Sequence, residues 1–239
     1  MIKVVVVTGS ACGLGRELAL FFARGGYAVV CHYNTSKKEA EDLLAEVSKI
    51  SPRSMIVSAD LTDEKQVKNM FDKVLAKFAR IDVLVNNVGN FLYKKFGETT
   101  NSEFRNVLES NVYSTLFCSR EALFVMRKQK SGHIINIGSV GADRFTLREN
   151  SVPYFLAKNG VYILTKAMAW EEAGSGIHIN MISPASMKTD IFSKSDFPMG
   201  RETKYEDVCG AVKFLLSKDA YYINGVNLEV AGAFVPGMK

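Results

Sequence analysis

The sequence predicts an α/β protein, a single doubly wound sheet of seven mostly parallel strands with helices on both faces. Three observations carry that reading. Short β-branched runs alternate with amphipathic helical stretches along the whole chain. The strand-sized runs, Val4 to Val7 foremost, are apolar without polar alternation, as suits strands buried on both faces. A glycine-rich turn, Thr8-Gly9-Ser10-Ala11-Cys12-Gly13-Leu14-Gly15, follows the first strand and opens a helix. No repeat, low-complexity tract or Pro/Gly/Ser linker divides the 239 residues, so a single domain over residues 1–239 is expected.

The elements follow in order. Ile2–Thr8 is the first strand, and a helix from about Leu14 to Arg24 is closed by Gly25-Gly26. Tyr27–Tyr33 is a second strand and Ser36–Ile50 a charged amphipathic helix. Arg53–Ala59 is a third strand, and Asp63–Ala79 a helix capped by Thr62 or Asp63. Ile81–Asn86 is a fourth strand ending in Asn86-Asn87-Val88-Gly89, followed by a polar loop and one long helix, Asn101–Lys128. His133–Gly138 is the fifth strand. A crossover helix starts at Pro153, where a first turn tolerates proline. Ile177–Ser183, a helix Tyr205–Ser217 and Gly225–Val230 complete the sheet. Ligands of such sheets bind at the carboxyl ends of the strands.

Composition narrows the class. A net charge of +5 is spread along the chain with no Lys/Arg block, so neither a nucleic-acid nor a membrane surface is indicated. The longest apolar runs are strand-sized, too short to span a bilayer, and the run after Lys3 stops before it makes a signal peptide. Cys12, Cys31, Cys118 and Cys209 have neither metal-ligand nor redox spacing, and His32, His133 and His178 stand apart from them. No metal site is expected, and the thiols suit reduced cysteines in the cytoplasm.

The chemistry begins at Tyr154 and Lys158. Residues four apart share a helix face, so phenol and ammonium can reach one point. A fixed cation favours the phenolate and brings the group toward general acid/base work. In the glycine-rich turn, Gly9, Gly13 and Gly15 permit close backbone approach to a diphosphate, and the helix opening at Cys12 to Leu14 offers amides and a positive dipole end. The second strand ends in Tyr33-Asn34-Thr35-Ser36-Lys37-Lys38, with no carboxylate before Glu39. NADP(H) is therefore favoured over NAD(H), the polar side chains being suited to a 2′-phosphate. Asp60-Leu61 ends the third strand, where the carboxylate accepts from an adenine amino group or caps the next helix.

Taken in series, the Thr8–Gly15 turn, Asp60, Asn86-Asn87-x-Gly89, Asn111, Ser139 and Tyr154-x-x-x-Lys158 resemble the short-chain dehydrogenase/reductase family over Val4 to about Gly232. That resemblance implies a Rossmann-type domain and the roles of individual residues. Tyr154 would protonate a carbonyl oxygen, Lys158 would lower the phenol's pKa and bind the nicotinamide ribose, and Ser139 would hold the oxygen. Asn111, within the long helix, would steady a water relaying protons to Lys158. Ser10, Asn87 and Gly89 would adjoin the cofactor, and Pro184 and Thr189 would support its carboxamide. Within the family the chain most resembles the bacterial type that reduces 3-oxoacyl groups on acyl carrier protein in fatty-acid synthesis. Family resemblance also implies a homotetramer or dimer through the long helices, and the apolar tail Leu228 to Pro236 is suited to crossing a second interface.

The chain departs from the family pattern in four places. Val88 replaces a small alanine, tightening the floor beneath the cofactor, and Ala185 replaces a glycine after Pro184. The Ser139–Tyr154 separation is some two residues longer, with Asp143 to Asn150 bordering the substrate. Only Asp190 to Phe197 stand where relatives carry a helical lid, so a short, open lid is expected. A pteridine or other small-ring carbonyl reductase is a second reading, suggested by His32-Tyr33-x-x-Ser36 and the cropped lid. A regulatory protein that senses NADP(H) without turnover is a third, against which Ser139, Tyr154 and Lys158 all argue.

Overall fold

The computed structural model describes residues 2–144, 149–187 and 192–235. Its seven strands are β1 (Val4–Val7), β2 (Ala28–Tyr33), β3 (Met55–Ser58), β4 (Val83–Asn86), β5 (Gly132–Ile137), β6 (Ile177–Pro184) and β7 (Asn227–Val230). They pair in the order β3-β2-β1-β4-β5-β6-β7. Every pairing is parallel, so the sheet is wholly rather than mostly parallel. The order reverses between β1 and β4, and this switch point opens the crevice in which the candidate site lies.

Among the described residues, seven α-helices cover the faces: α1 (Gly13–Arg24), α2 (Lys37–Ile50), α3 (Glu64–Phe78), α4 (Asn101–Leu108), α5 (Ser114–Gln129), α6 (Val152–Glu172) and α7 (Tyr205–Leu215). Period-two alternation in β1 sends Val5 and Val7 to a core shared with Leu18, Phe22, Leu43 and Val212, beneath α1, α2 and α7. Val4 and Val6 face the opposite core, with Phe71, Met126 and Met168 of α3, α5 and α6. Phe22 and Phe71 are almost wholly buried, each contributing about 1.5–3 kcal/mol relative to exposure.

Element boundaries differ from the expected ones by a residue or two, as helix ends and strand ends commonly do. The larger difference is in the long helix. Asn101–Lys128 is interrupted by a wider, π-type turn over Glu109–Tyr113 that separates α4 from α5. Nothing in its apolar periodicity announces this. Asp63, not Asp60 or Thr62, caps α3 by accepting from the amides of Lys65 and Gln66. Within the apolar tail, Phe234 is buried in its own chain against Val140, Ala185 and Phe197.

Candidate active site

The glycine-rich turn is held by side chains from three strands. Gly9 and Gly13 have φ of +61° and +57°, a region that glycine adopts freely. A Cβ on Gly15 would lie 2.2 Å from the Gly9 carbonyl oxygen, so only glycine lets α1 start this close to the turn. Asn87 Nδ2 donates to the carbonyls of Thr8 and Gly9 at 3.0 and 3.1 Å. Thr8 Oγ1 accepts from the Asn87 and Val88 amides and donates to Val85 O. Val88 packs on the turn, its Cγ2 being 2.8 Å from where a Gly9 Cβ would sit.

His32 completes the clamp, a role its place in an apolar strand did not reveal. Its Nδ1 accepts from the Gly9 amide at 3.0 Å, which makes Nε2 the protonated nitrogen, donating to Ala59 O at 3.0 Å. Burial pushes its pKa down from 6.5 to about 4, so the ring is neutral at pH 7. Ser10, fully buried, donates both its amide and its hydroxyl to His32 O.

Leu14 and Leu61 also direct their side chains into the core, leaving only their backbones to meet a ligand. Cys12 is the exposed N-cap residue of α1 and makes no side-chain cap hydrogen bond. Tyr33, Asn34, Thr35 and Ser36 follow in line from β2, Asn34 and Thr35 exposed. Asp60 lies beyond β3, its Oδ1 accepting from the amide and hydroxyl of Thr62. Positive-φ glycines, a close-set helix N-terminus and no acidic residue in its first turn fit a dinucleotide's diphosphate.

Across the crevice, α6 presents Tyr154 and Lys158 on one face, with Lys158 Nζ 5.5 Å from the Tyr154 ring centre. Lys158 is buried and donates to the Ile137 carbonyl at 2.8 Å. Desolvation pushes its pKa down from 10.5 to about 8. Ser139, half-buried, stands two residues beyond that carbonyl. Asn111 sits fully buried in the π-type turn, its Nδ2 donating to Asn90 O and Val107 O. Its Oδ1 is buried without a hydrogen-bond partner among the described residues. A Cβ on Gly89 would lie 2.1 Å from that oxygen, so glycine at 89 is required by Asn111.

Pro184 ends β6, and its carbonyl accepts from Val140. Thr189 lies outside the described residues, as do Asp190 and residues 145–148 of the loop after Ser139. The lid stretch contains a short turn, Lys194–Asp196, and is anchored by Phe197 against Phe192 and Phe234.

The sequence profile described as "short chain dehydrogenase" matches residues 3–198. The chain belongs to this family. It is therefore an oxidoreductase acting on alcohol or carbonyl groups, with a nicotinamide dinucleotide, NAD(H) or NADP(H), as cofactor. It is 34% identical over 243 residues to the 3-oxoacyl-(acyl-carrier-protein) reductase FabG of Staphylococcus aureus, covering 97% of this chain and 98% of that one. It is also 33% identical over 243 residues to the meso-2,3-butanediol dehydrogenase of Serratia marcescens, covering 96% and 93%. Among solved structures, acetoin dehydrogenase from Enterobacter cloacae superposes with a TM-score of 0.90 at 29% identity, covering both chains completely. No metal-binding cluster of three or more His, Cys, Asp or Glu occurs among the described residues, and no described helix is long and apolar enough to cross a membrane.

Proposed function

We propose that this short chain dehydrogenase is an NADP(H)-dependent reductase converting a carbonyl to an alcohol, with a 3-oxoacyl thioester on acyl carrier protein as substrate. The observation that carries the reading is the buried Lys158 ammonium set one helical turn from Tyr154 and bonded to the Ile137 carbonyl, two residues before Ser139. Bound nicotinamide supplies the hydride. Tyr154 releases its proton to the carbonyl oxygen, and the Lys158 charge favours the phenolate left behind. The Ser139 hydroxyl orients that oxygen, and the orphaned Asn111 Oδ1 provides a buried acceptor for a water near the relay. Gly9, Gly13 and Gly15 would hold the diphosphate, and Asn87 and His32 keep their turn in shape.

The absence of any carboxylate from Tyr33 to Lys38 supports NADP(H), with Asn34, Thr35 and Lys37 exposed toward a 2′-phosphate. A short lid supports a bulky or carrier-borne substrate. The exposed Phe124 of α5, and Ile163 and Trp170 of α6, support a homo-oligomer built on those helices. Nothing in the charge distribution supports a nucleic-acid or membrane partner, and a cytoplasmic location fits the unpaired cysteines.

One observation favours a second substrate class, a small flat ring such as a pteridine. Phe91, half-exposed, meets the Tyr154 ring edge to face at 4.9 Å, and Tyr93 lies nearly parallel to Phe91 at 6.3 Å. An exposed aromatic wall beside the acid is a stacking surface for a planar substrate.

The test follows NADPH consumption with an acetoacetyl thioester, acetoin and a dihydropterin in parallel, with Tyr154→Phe as control. The thioester is expected to give the highest kcat/KM. The control should lose roughly 100-fold or more while still binding NADPH. Faster turnover of the dihydropterin or acetoin would replace the acyl assignment, and near-normal rates in Tyr154→Phe would remove Tyr154 as the acid.

A further inference from the structure

Immediately after Ser139 the chain runs into a compact turn that the far edge of the sheet holds in place. Gly138 and Val140 continue β5 by donating to the Ile182 and Pro184 carbonyls, and Ser139 O accepts from the Ala142 amide. Gly141 then turns with φ of +81°, a left-handed conformation suited to glycine. Its amide donates to Oε1 of Glu229, from the edge strand β7, at 2.7 Å. The other oxygen of the same carboxylate accepts from Arg144 Nη2 at 2.6 Å. From the opposite side Asn159, the residue after Lys158, donates through Nδ2 to the Ala142 carbonyl. Residues 141–144 are thus gripped between the edge strand and the helix that carries Tyr154 and Lys158.

We infer that Glu229 is a positioning residue for Ser139 and for the base of the loop bordering the substrate. The inference rests on the reductase reading above. One carboxylate fixes two points three residues apart, the Gly141 amide and the Arg144 guanidinium, through charge-assisted bonds that are shorter and stronger than neutral ones. The span it fixes starts two residues after the hydroxyl that must meet the carbonyl oxygen. A displacement of about 1 Å at such a hydroxyl costs up to roughly 100-fold in rate. Glu229 belongs to neither the glycine-rich turn nor the Tyr154–Lys158 face, and its partly exposed side chain on an edge strand can be shortened without removing core packing.

The experiment compares Glu229→Ala, Glu229→Gln and Arg144→Ala with the unaltered chain. Two readouts are used, steady-state kinetics with NADPH plus the best substrate of the panel, and amide hydrogen exchange at Gly141. Glu229→Ala should lower kcat/KM roughly 10- to 100-fold, with the NADPH dissociation constant unchanged within about twofold. Exchange at Gly141 should quicken roughly tenfold or more. Glu229→Gln keeps an acceptor for the Gly141 amide and should recover most of both losses, while Arg144→Ala should fall between.

Wild-type kcat/KM in Glu229→Ala, a parallel loss of NADPH binding, or a glutamine as poor as alanine would each overturn the positioning role. Absence of turnover by the unaltered chain would count against the reductase reading instead. Exchange at Gly141 would then decide the latch alone, and an unchanged rate in Glu229→Ala would remove it.

Discussion

Protonating His32 should loosen the cofactor turn, and the structure sets both the size and the direction of that effect. The folded-state pKa is lowered from 6.5 to about 4 because the ring is buried, and a proton on Nδ1 would break its bond from the Gly9 amide. The unfolded chain therefore takes up the proton first as pH falls. The stability contributed by neutral His32 is complete above about pH 6.5, declines between about pH 6.5 and 4, and is flat below. A shift of this size corresponds to about 3 kcal/mol in all, roughly half of it lost by pH 5.5 and most of it by pH 4.5. His32→Gln removes the titration while keeping a polar side chain. Urea midpoints of the two proteins at several pH values isolate the His32 share from carboxylates and from His133, which burial also brings to about 4. The stability advantage of the unaltered chain over the variant should shrink by roughly 2–3 kcal/mol from pH 7.5 to 4.5. NADPH affinity should weaken over the same range. A pH-independent difference would mean that His32 does not stay neutral in the clamp.

Two further outcomes follow from the same geometry. Gly15→Ala should abolish NADPH binding and cost about 2 kcal/mol or more of stability, because the new Cβ would sit 2.2 Å from a backbone oxygen that cannot move aside; wild-type affinity by fluorescence titration would contradict the close approach. Carbonyl reduction should fall as pH rises through about 8, where the buried Lys158 loses its proton and no longer favours the phenolate. The sign for stability is opposite to that for rate: folding stability should rise between about pH 8 and 10.5, since only the unfolded lysine still holds its proton there. A rate profile flat to pH 9.5 would argue against this.

Much of the site was legible because its residues lie at fixed intervals within single elements. Tyr154 and Lys158 share a helix face by spacing alone, and the turn from Gly9 to Gly15 declares itself by its place between a strand and a helix. The alternation of apolar runs likewise indicated the layered sheet, because strands buried on both faces are predominantly apolar rather than alternating. What the chain order could not supply was contact between distant segments. The π-type turn at Asn111 interrupts a helix whose side chains would suit an unbroken one, and Asn111 comes to rest against Gly89 only when β4 and α5 pack.

His32 reads in sequence as a stray polar residue in a strand. It becomes a clamp because β1, β2 and β3 bring the Gly9 amide and the Ala59 carbonyl to its two nitrogens. Phe91, Asn159 and Glu229 gain their meaning in the same way, at the carboxyl edge where loops from separate strands converge. Sequence by itself indicated the sheet and set Tyr154 and Lys158, the proposed reacting pair, on one helix face, since periodicity and spacing are local properties, and its series of motifs resembled the family that the profile match shows. Tertiary structure alone decided which buried groups hold that pair and its cofactor turn in place, because a hydrogen bond between residues far apart in the chain exists only after the sheet has formed.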